Sequence, residues 1–408
     1  MNILFIGGDG INPNANTVCV NNMAREMVSQ GHHVWILAKG DEYVKDAGNI
    51  DGAELWQMPE NYYGKLVERV TNNPSFLMRL WFDIFALLRH FVIFFTYPNA
   101  APGRAKNVSK KAKQIVRDNN IQLVVAIFNR FENIYSGLQI KKEYGDKVKV
   151  VSYHLDLRTA SINPSRLVRN FIYKKGLASI VDENRIVDKM LIPYSGQKDI
   201  ESLQGLDLSK IVFVGFPVYI KEKVHDVCDV PFENDTINVT YIGSLSRDNR
   251  NPQYILSILE RASKQLKRNI MVHFWGDAGG MEDMLEKSPV AVYHGMIDNR
   301  YVKHVMLMSD FLLNIGNAVA YTMLPSKVFG MFATGKPIIN IIAHPLDATL
   351  PFFARYNYSL DIKEFENNGD DDRFLASKID EFLNSSSHMN DNLFNDFMPE
   401  TICNLIMK

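Results

Sequence analysis

The chain has 408 residues, 46% of them apolar and 22% charged, which is ordinary for a folded globular protein. This length exceeds what one hydrophobic core usually serves, so two domains are expected. The net charge of -1 argues against a nucleic-acid-binding protein, because phosphate contacts need an excess of basic residues. The cysteines Cys19, Cys228 and Cys403 lack the spacing of a zinc motif or a disulfide framework and are typical of a reducing compartment.

In the first half of the chain, short β-branched runs alternate with longer helical patterns. This rhythm indicates a parallel sheet built from βαβ units. The first helix should begin near Asn14 or Asn16, either of which could cap it, and end at a left-handed Gly31. The residues after Met1 run directly into glycines, so no signal peptide is expected. The predicted strands are Ile3–Ile6, Val34–Ala38, Leu55–Met58, Leu123–Ile127, Val148–Tyr153, Met190–Pro193 and Val212–Val214.

The loop after the first strand contains Gly7, Gly8 and Gly10. Glycines at this point let the backbone approach a ligand, and the next helix offers its N-terminal amides to an anion. A dinucleotide fingerprint would have a glycine at position 13, where this chain has Pro13. An NAD-dependent dehydrogenase is therefore the least favoured enzyme class, and a simple tight turn remains the alternative reading of the loop.

The segment Phe76–Phe95 is strongly apolar but contains Arg79, Asp83, Arg89 and His90. A charge at the centre of a bilayer costs about 2.5–3.5 kcal/mol, so a membrane-spanning helix is disfavoured. The pattern favours a helix in the membrane interface, with burial in the domain or in a dimer interface as alternatives. Basic residues in the same half could attract anionic lipid, namely Arg104, Lys106, Lys110, Lys111 and Lys113, and Arg166, Arg169, Lys174 and Lys175.

The second half restarts the βα rhythm. Between the halves, Lys221–Asp235 is polar, contains Pro231 and has no clear period, which is typical of a linker. The predicted domains are 1–217 and 237–390, joined by the linker 218–236. The strands predicted for the second domain are Asn238–Ile242, Met271–Phe274, Ala291–Tyr293, Phe311–Ile315 and Ile338–Ile342.

Two segments of the second domain are candidates for anion binding. Gly243 follows the first predicted strand of this domain, and Arg247 and Arg250 come soon afterwards, so amides and cations could surround a diphosphate. A solvated loop is the alternative. In the second segment, Pro325 can preset a helical turn that leaves the amides of Ser326 and Lys327 available to an anion.

With these segments in place, the chain resembles the retaining GT-B glycosyltransferases, specifically the large bacterial family four and its relatives that build cell-surface polysaccharides. The resemblance extends over most of the chain. It is carried by the motifs at Gly7–Gly8, Ile242–Leu245, Trp275–Asp277, His294–Gly295, Ser309–Leu313 and Pro325–Phe329.

This resemblance implies an α/β protein of GT-B architecture, with two Rossmann-like domains facing a central cleft. The N-terminal domain would present the acceptor, the C-terminal domain would hold the donor nucleotide, and a helix at about 391–408 would pack back on the N-terminal domain. The motifs and the resemblance together predict the donor-binding residues Gly8, Gly243, Ser244, Arg247, Arg250, Ser326, Lys327 and Phe329.

The chain departs from that family at two positions. Typical members have two glutamates with seven residues between them, the second directly after the phenylalanine and commonly in contact with the donor ribose. Here those positions are Thr322 and Gly330. Ribose recognition must therefore come from elsewhere or be weaker.

The catalytic candidates lie where predicted strands end. Related enzymes often carry a histidine or an aspartate after the strand that here ends at Tyr153, which points to His154 and Asp156. An acceptor hydroxyl needs a group that receives its proton, and Glu132 beyond a neighbouring strand is the third candidate. A structural histidine is the alternative for His154. The acids Asp370–Asp372 precede a helical pattern and favour its positive end, so no metal site is predicted.

The resemblance thus implies a metal-independent, retaining hexosyltransferase with no cofactor, whose donor substrate is a nucleoside-diphosphate sugar. Its acceptor would be lipid-linked or an oligosaccharide, and its place would be the cytoplasmic, inner face of the cell membrane. One alternative is a nucleotide-sugar epimerase of the same fold. Another is a catalytically degenerate member that acts as a membrane-associated assembly partner.

Overall fold

The computed structural model describes residues 1–8, 15–40, 48–59, 70, 75–155, 166–220, 226–321, 323–366, 369–383 and 393–408. The chain divides into two compact units. Unit 1 is Met1–Pro217 together with Asp396–Lys408, and unit 2 is Val218–Asn395.

Unit 1 contains an eight-stranded sheet in the order β3-β4-β2-β1-β5-β6-β7-β8. Neighbouring strands are parallel except for the antiparallel β3–β4 pair at one edge. The strands are β1 (Asn2–Ile6), β2 (His33–Lys39), β3 (Gly48–Ile50), β4 (Ala53–Met58), β5 (Leu123–Phe128), β6 (Lys149–His154), β7 (Lys189–Pro193) and β8 (Ile211–Val214).

The central strands of this sheet are buried along their whole length, which is typical of parallel sheets covered by helices on both faces. The helices of unit 1 are α1 (Ala15–Ser29), α2 (Phe76–Thr96), α3 (Pro102–Asp118), α4 (Phe131–Tyr144), α5 (Arg166–Ile186) and α6 (Gln197–Glu201).

Unit 2 contains a six-stranded, fully parallel sheet in the order β11-β10-β9-β12-β13-β14. Renumbered within the unit this is 3-2-1-4-5-6, the strand order of dinucleotide-binding domains. The strands are β9 (Thr236–Ile242), β10 (Asn269–Trp275), β11 (Ala291–Gly295), β12 (Phe311–Ile315), β13 (Ile338–Ile342) and β14 (Ser359–Lys363). The helices are α7 (Gln253–Leu266), α8 (Glu282–Lys287), α9 (Asn299–Met308), α10 (Lys327–Phe332), α11 (Leu350–Tyr356) and α12 (Asp371–Leu383).

The final helix, α13 (Pro399–Met407), belongs to unit 1 although it follows unit 2 in the chain. Lys149 and Lys189, at the starts of β6 and β7, donate hydrogen bonds to the carbonyl oxygens of Met407 and Leu405. Cations near the last carbonyls of a helix stabilise it. These contacts fix the end of the chain to the amino edge of the unit 1 sheet.

Every strand predicted from the sequence is present, and the predicted α/β fold class is confirmed. Two strands were not predicted. β3 has only three residues, and β14 alternates buried and exposed side chains because it lies at an edge of its sheet. Gly31 follows α1 in the predicted left-handed conformation, with φ of 81°. Among the described helices, none is long and apolar enough to cross a membrane.

The acids at Asp370–Asp372 have structural partners at the start of α12. The Tyr254 hydroxyl donates to Asp371 over 2.6 Å, and Gln265 donates to Asp372 over 2.6 Å. Both donors lie on α7, so these carboxylates join α12 to α7. Within the described residues, no group of three or more His, Cys, Asp or Glu side chains could hold a metal ion.

Candidate functional site

The carboxyl edge of the unit 2 sheet contains a buried amine, that of Lys327. Lys327 is the first residue of α10, and its Nζ lies 4.2 Å from the centre of the Tyr241 ring. This Nζ is buried and has no hydrogen-bond partner among the described residues. Burial, together with the nearby charge of Arg250, lowers the pKa of the Lys327 ammonium well below its usual range.

Gly243 makes this position of the lysine possible. It directly follows β9 with φ of 147°, and a Cβ built on it would lie 3.2 Å from Lys327 Nζ. The amine therefore rests against a stretch of backbone that has no side chain. Tyr241 completes the wall, because its hydroxyl donates to the carbonyl oxygen of Ser244 over 2.9 Å and burial raises its pKa to about 12.

Arg250 is the second cation of this edge, and its orientation is fixed by Asn317. The Arg250 Nε donates to Asn317 Oδ1 over 2.8 Å, and the same oxygen accepts a bond of 3.0 Å from the side chain of Asn249. Asn249 Oδ1 in turn accepts from the amides of Val319 and Ala320. These bonds join the loop after β9 to the loop after β12 and hold the guanidinium beside Lys327.

The two predicted serines lie at this same edge. Ser244 is exposed one residue after Gly243, and Ser326 is half-buried immediately before α10. A turn begins at Pro325, whose carbonyl oxygen accepts from the amide of Val328. We call Gly243, Ser244, Arg250, Ser326 and Lys327 the cationic edge of unit 2.

Two predicted donor-binding residues lie away from this group of side chains. Phe329 is fully buried among Phe332, Phe352 and Phe394, because residues two apart on a helix point in different directions and Lys327 occupies the other side. Arg247 donates to the carbonyl oxygen of Gly280 over 3.1 Å and lines an open depression between α7 and α8. Neither side chain belongs to the cationic edge.

Of the two positions at which related enzymes have glutamates, the structure describes Gly330. Thr322 lies outside the described residues. Gly330 is half-buried on α10, and a Cβ placed there would meet nothing within 4 Å. The space next to Lys327 on this helix is therefore open where a larger side chain could stand.

The other predicted site residues that the structure describes lie at the carboxyl edge of the unit 1 sheet. Charged side chains at this edge pair with one another. Glu132 is buried in the first turn of α4 and accepts from Arg104 Nε over 3.0 Å. Arg104 also donates to the carbonyl oxygen of Pro59. With Gly8 and Arg130, Glu132 lines a cavity of about 10 Å³, which has room for about one water molecule.

The structure places the catalytic candidate His154 in a buried pair. It ends β6, is fully buried, and its Nε2 lies 2.8 Å from Oε1 of Glu183 on α5. Its ring also stacks on Phe128 with centroids 5.3 Å apart. The side chain faces the packed helix rather than a surface. Asp156 lies outside the described residues.

Three residues that contribute to these arrangements were not identified as site residues from the sequence. Tyr241 and Asn317 shape the cationic edge, and Glu183 pairs with His154. Asn317 carried a usable signal, since it is a polar residue just beyond the end of β12. Glu183 carried none, because it lies in the middle of a helix and only the packing of α5 on β6 brings it to His154.

A second histidine pair lies inside unit 2. His273 Nδ1 is 3.0 Å from His294 Nε2, and His273 Nε2 is 3.1 Å from Asn238 Oδ1. Trp275 stacks on His294 with ring centroids 4.4 Å apart. Burial and the neighbouring His294 lower the pKa of His273 to about 4, and burial lowers the pKa of His294. Both imidazoles are therefore neutral near neutral pH.

No protein-family model matches this sequence. No curated protein matches it in sequence either.

Solved structures do resemble the fold across its whole length. WaaG, a glycosyltransferase involved in lipopolysaccharide biosynthesis, is 11% identical with a TM-score of 0.58, and 99% of each chain is covered. Sucrose-phosphate synthase from Thermosynechococcus elongatus is 11% identical with a TM-score of 0.58, over 100% of this chain and 94% of that one. The lipopolysaccharide outer core galactosyltransferase WaaB is 14% identical with a TM-score of 0.50, over 99% of this chain and 100% of that one. The fold is the GT-B fold of these glycosyltransferases.

Proposed function

We propose that the protein is a glycosyltransferase whose unit 2 binds the diphosphate of a nucleoside-diphosphate sugar at the cationic edge. The observation that carries this proposal is the buried Nζ of Lys327, which has no hydrogen-bond partner among the described residues. A buried polar group without a partner costs about 1–3 kcal/mol, so its presence indicates a ligand that supplies the partner. The GT-B fold supports the same ligand class, because solved structures with this fold include glycosyltransferases.

The geometry of the cationic edge suits a diphosphate better than a single carboxylate. Lys327 and Arg250 provide two cations when a ligand is bound. The half-buried backbone of Gly243, directly after β9, lies next to the Lys327 amine. Phosphate oxygens accept charge-assisted hydrogen bonds from both kinds of cation, and arginine can do so with two bonds at once. Ser244 and Ser326 add hydroxyl donors at the same edge.

We further propose that transfer retains the configuration of the sugar, requires no metal ion, and uses a lipid-linked or oligosaccharide acceptor. The acceptor proposal takes support from WaaG and WaaB, which are described as enzymes of lipopolysaccharide synthesis. Glu132 remains the described acceptor-side candidate, because it borders the small cavity at the unit 1 edge with Gly8. Asp156 remains a candidate from the sequence alone.

The test of the proposed activity is incubation of the purified protein with UDP-, GDP- and ADP-sugars and a lipid-linked or oligosaccharide acceptor, with and without a chelator. A glycosyltransferase releases nucleoside diphosphate and forms a glycoside, whose anomeric configuration NMR reads directly. An epimerase would interconvert the sugars while the glycosidic product stays absent. An assembly partner would bind donor or membrane without turnover, and that result would contradict the proposed activity.

The proposed location, the inner face of the membrane, depends on one exposed face of α2. We call this face the α2 apolar surface, and its exposed residues are Leu80, Trp81, Ile84, Leu88, Phe91, Val92 and Phe95. The opposite side of the helix packs within unit 1, where Ile93 is buried with Tyr97 and with Ile172 of α5. Apolar patches of this kind mark interaction sites in proteins that otherwise stay dissolved.

Several basic side chains that were expected to attract lipid have partners within the fold. Arg104 is paired with Glu132, and Lys113 is paired with Glu143. Lys175 donates to the carbonyl oxygens of Phe94 and Phe95, which caps α2. Among the side chains of these clusters that the structure describes, Lys106, Lys110 and Lys174 are exposed lysines, and the side chains of Arg166 and Arg169 lie outside that description. The apolar contribution to membrane binding should therefore exceed the electrostatic one.

Vesicle sedimentation tests the membrane proposal. Replacing Trp81 and Phe91 with serine should abolish sedimentation with anionic vesicles, since these side chains are 55% and 67% exposed and contribute little to the core. Leu208→Ser is the matched control, because Leu208 is 61% exposed in unit 1 away from α2. A double variant that becomes monomeric from a dimer, with unchanged sedimentation, would assign the surface to self-association instead.

A further inference from the structure

The amine of Lys327 has surroundings that favour its neutral form when the site is free. Its Nζ is buried, lies over the Tyr241 ring and touches the backbone at Gly243. In the described part of unit 2, the titratable and charged groups that face it are Tyr241 on β9 and Arg250 in the following loop. Neither is an anion near neutral pH, since burial raises the pKa of Tyr241 to about 12.

Burial and the Arg250 charge therefore both disfavour the ammonium, whereas the face of the Tyr241 ring attracts a cation and offsets only part of this cost. Arg250 keeps its charge at any ordinary pH, and a second cation beside it in a buried site is unfavourable. This agrees with the low pKa of Lys327, for which burial is the first cause and Arg250 the second. A bound diphosphate would reverse both effects, because its oxygens would accept hydrogen bonds from the amine and place negative charge between the two side chains.

We propose that this site binds a diphosphate together with one proton, so that Lys327 is a neutral amine in the free site and an ammonium in the occupied one. The proposal rests on the proposed function, since it describes how the same site accepts its donor. One proton leaves the buffer and one N–H bond forms on Lys327, while every bond of the ligand stays intact. Donor binding and proton binding are thereby linked.

Linkage predicts how affinity changes with pH. Between the pKa of the free amine and that of the bound ammonium, the Kd of the nucleotide should rise about tenfold for each pH unit. A simple electrostatic site with a permanently charged lysine would show no such slope. The terminal phosphate of a nucleoside diphosphate has its second pKa near 6, so a measurement at about pH 8 separates its titration from that of the lysine.

Titration calorimetry with UDP, GDP and ADP at about pH 8, in two buffers of different ionisation enthalpy, tests the proposal. The difference between the two observed enthalpies, divided by the difference between the ionisation enthalpies of the two buffers, gives the number of protons taken up per nucleotide. We expect close to one for the wild-type protein. Binding without proton uptake would overturn this inference and leave the proposed function standing, whereas failure of all three nucleotides to bind would overturn both.

Two variants assign the proton to its residue. Lys327→Met should bind about ten- to a hundredfold more weakly and take up no proton. Lys327→Arg keeps a cation that does not deprotonate, so its binding should lose the pH slope. Lys264→Arg, at an exposed lysine paired with Glu260, should behave like the wild type. Proton uptake that persists in Lys327→Met would place the proton elsewhere and overturn the assignment.

Discussion

The carboxyl edges of both sheets carry charged side chains, but these side chains have different neighbours. In unit 1, the Glu132 carboxylate pairs with Arg104 and the His154 ring pairs with Glu183, so each of these groups has a partner of complementary charge or hydrogen-bonding character within the fold. In unit 2, Lys327 is buried beside Arg250 with no hydrogen-bond partner in the described residues. Removing one member of a buried pair destabilises the fold. A buried polar group that lacks a protein partner instead indicates a place where a ligand can supply one.

The largest loss of stability should come from removing one member of a buried pair. Glu183→Leu leaves His154 buried without its carboxylate, and breaking a buried pair in this way costs about 3–5 kcal/mol. Chemical denaturation of unit 1 should show this loss, and Glu183→Gln, which keeps a hydrogen-bond acceptor, should lose less. A Glu183→Leu protein that is fully stable but inactive would show that the pair acts in catalysis.

A smaller effect is expected from pH, through the closed histidine pair of unit 2. The pKa of His273 is about 4 in the fold, below its ordinary value of 6.5, so the unfolded chain binds more protons between these values. Stability should be complete above about pH 6.5 and fall by about 1.4 kcal/mol per pH unit as pH approaches 4.

Urea unfolding followed by tryptophan fluorescence measures this change, because Trp275 stacks on His294. His273→Asn removes the titrating ring and should flatten the pH dependence. If wild type and variant lose stability in parallel between these pH values, the pair does not govern the acid response of unit 2.

Removing the buried amine of Lys327 should raise the stability of the free protein rather than lower it. Lys327→Met replaces a buried amine without a partner by an apolar chain of similar length, so the free energy of unfolding should rise by about 1–3 kcal/mol. Denaturation without nucleotide measures the gain. A destabilised Lys327→Met protein would mean that the lysine already has a favourable role in the free fold.

The smallest effect concerns the residue that positions Arg250. Asn317→Ala removes the acceptor of the Arg250 Nε and one link between the two loops, so nucleotide affinity should fall about three- to tenfold. Asn340→Ala is the control, because Asn340 is a similarly buried amide of the same unit that bonds Asn314 and Asp361 instead. Equal losses of affinity in both variants would reduce Asn317 to a general structural role.

The sequence predicted the fold well because each signal for it is local. Buried strands such as β5 are unbroken apolar runs, and Gly243 and Lys327 stand beside such strands or at a helix start, where a short motif is enough. The relations that decide the sites are not local. Asn317 reaches Arg250 across 67 positions, and Glu183 reaches His154 across 29.

The directions in which side chains point were also not available from the sequence. Arg247 and Arg250 are three positions apart in a loop, and spacing in a loop does not tell which side chain turns toward the strand end. The structure sends Arg247 to Gly280 and Arg250 to Asn317. The burial of Phe329 was not anticipated for a related reason, since a motif that includes both Lys327 and Phe329 does not show that their side chains point in opposite directions on α10.

The central claim is that the cationic edge binds a nucleoside diphosphate, and calorimetric affinities for UDP, GDP and ADP test it most directly. The wild-type protein should bind at least one of the three. Lys327→Met should weaken that binding about ten- to a hundredfold, which corresponds to the roughly 1.5–3 kcal/mol of a charge-assisted hydrogen bond. Lys264→Met, at an exposed lysine of the same unit, should leave it unchanged. Equal affinity of the wild-type and Lys327→Met proteins, or no binding of any of the three nucleotides, would contradict the account.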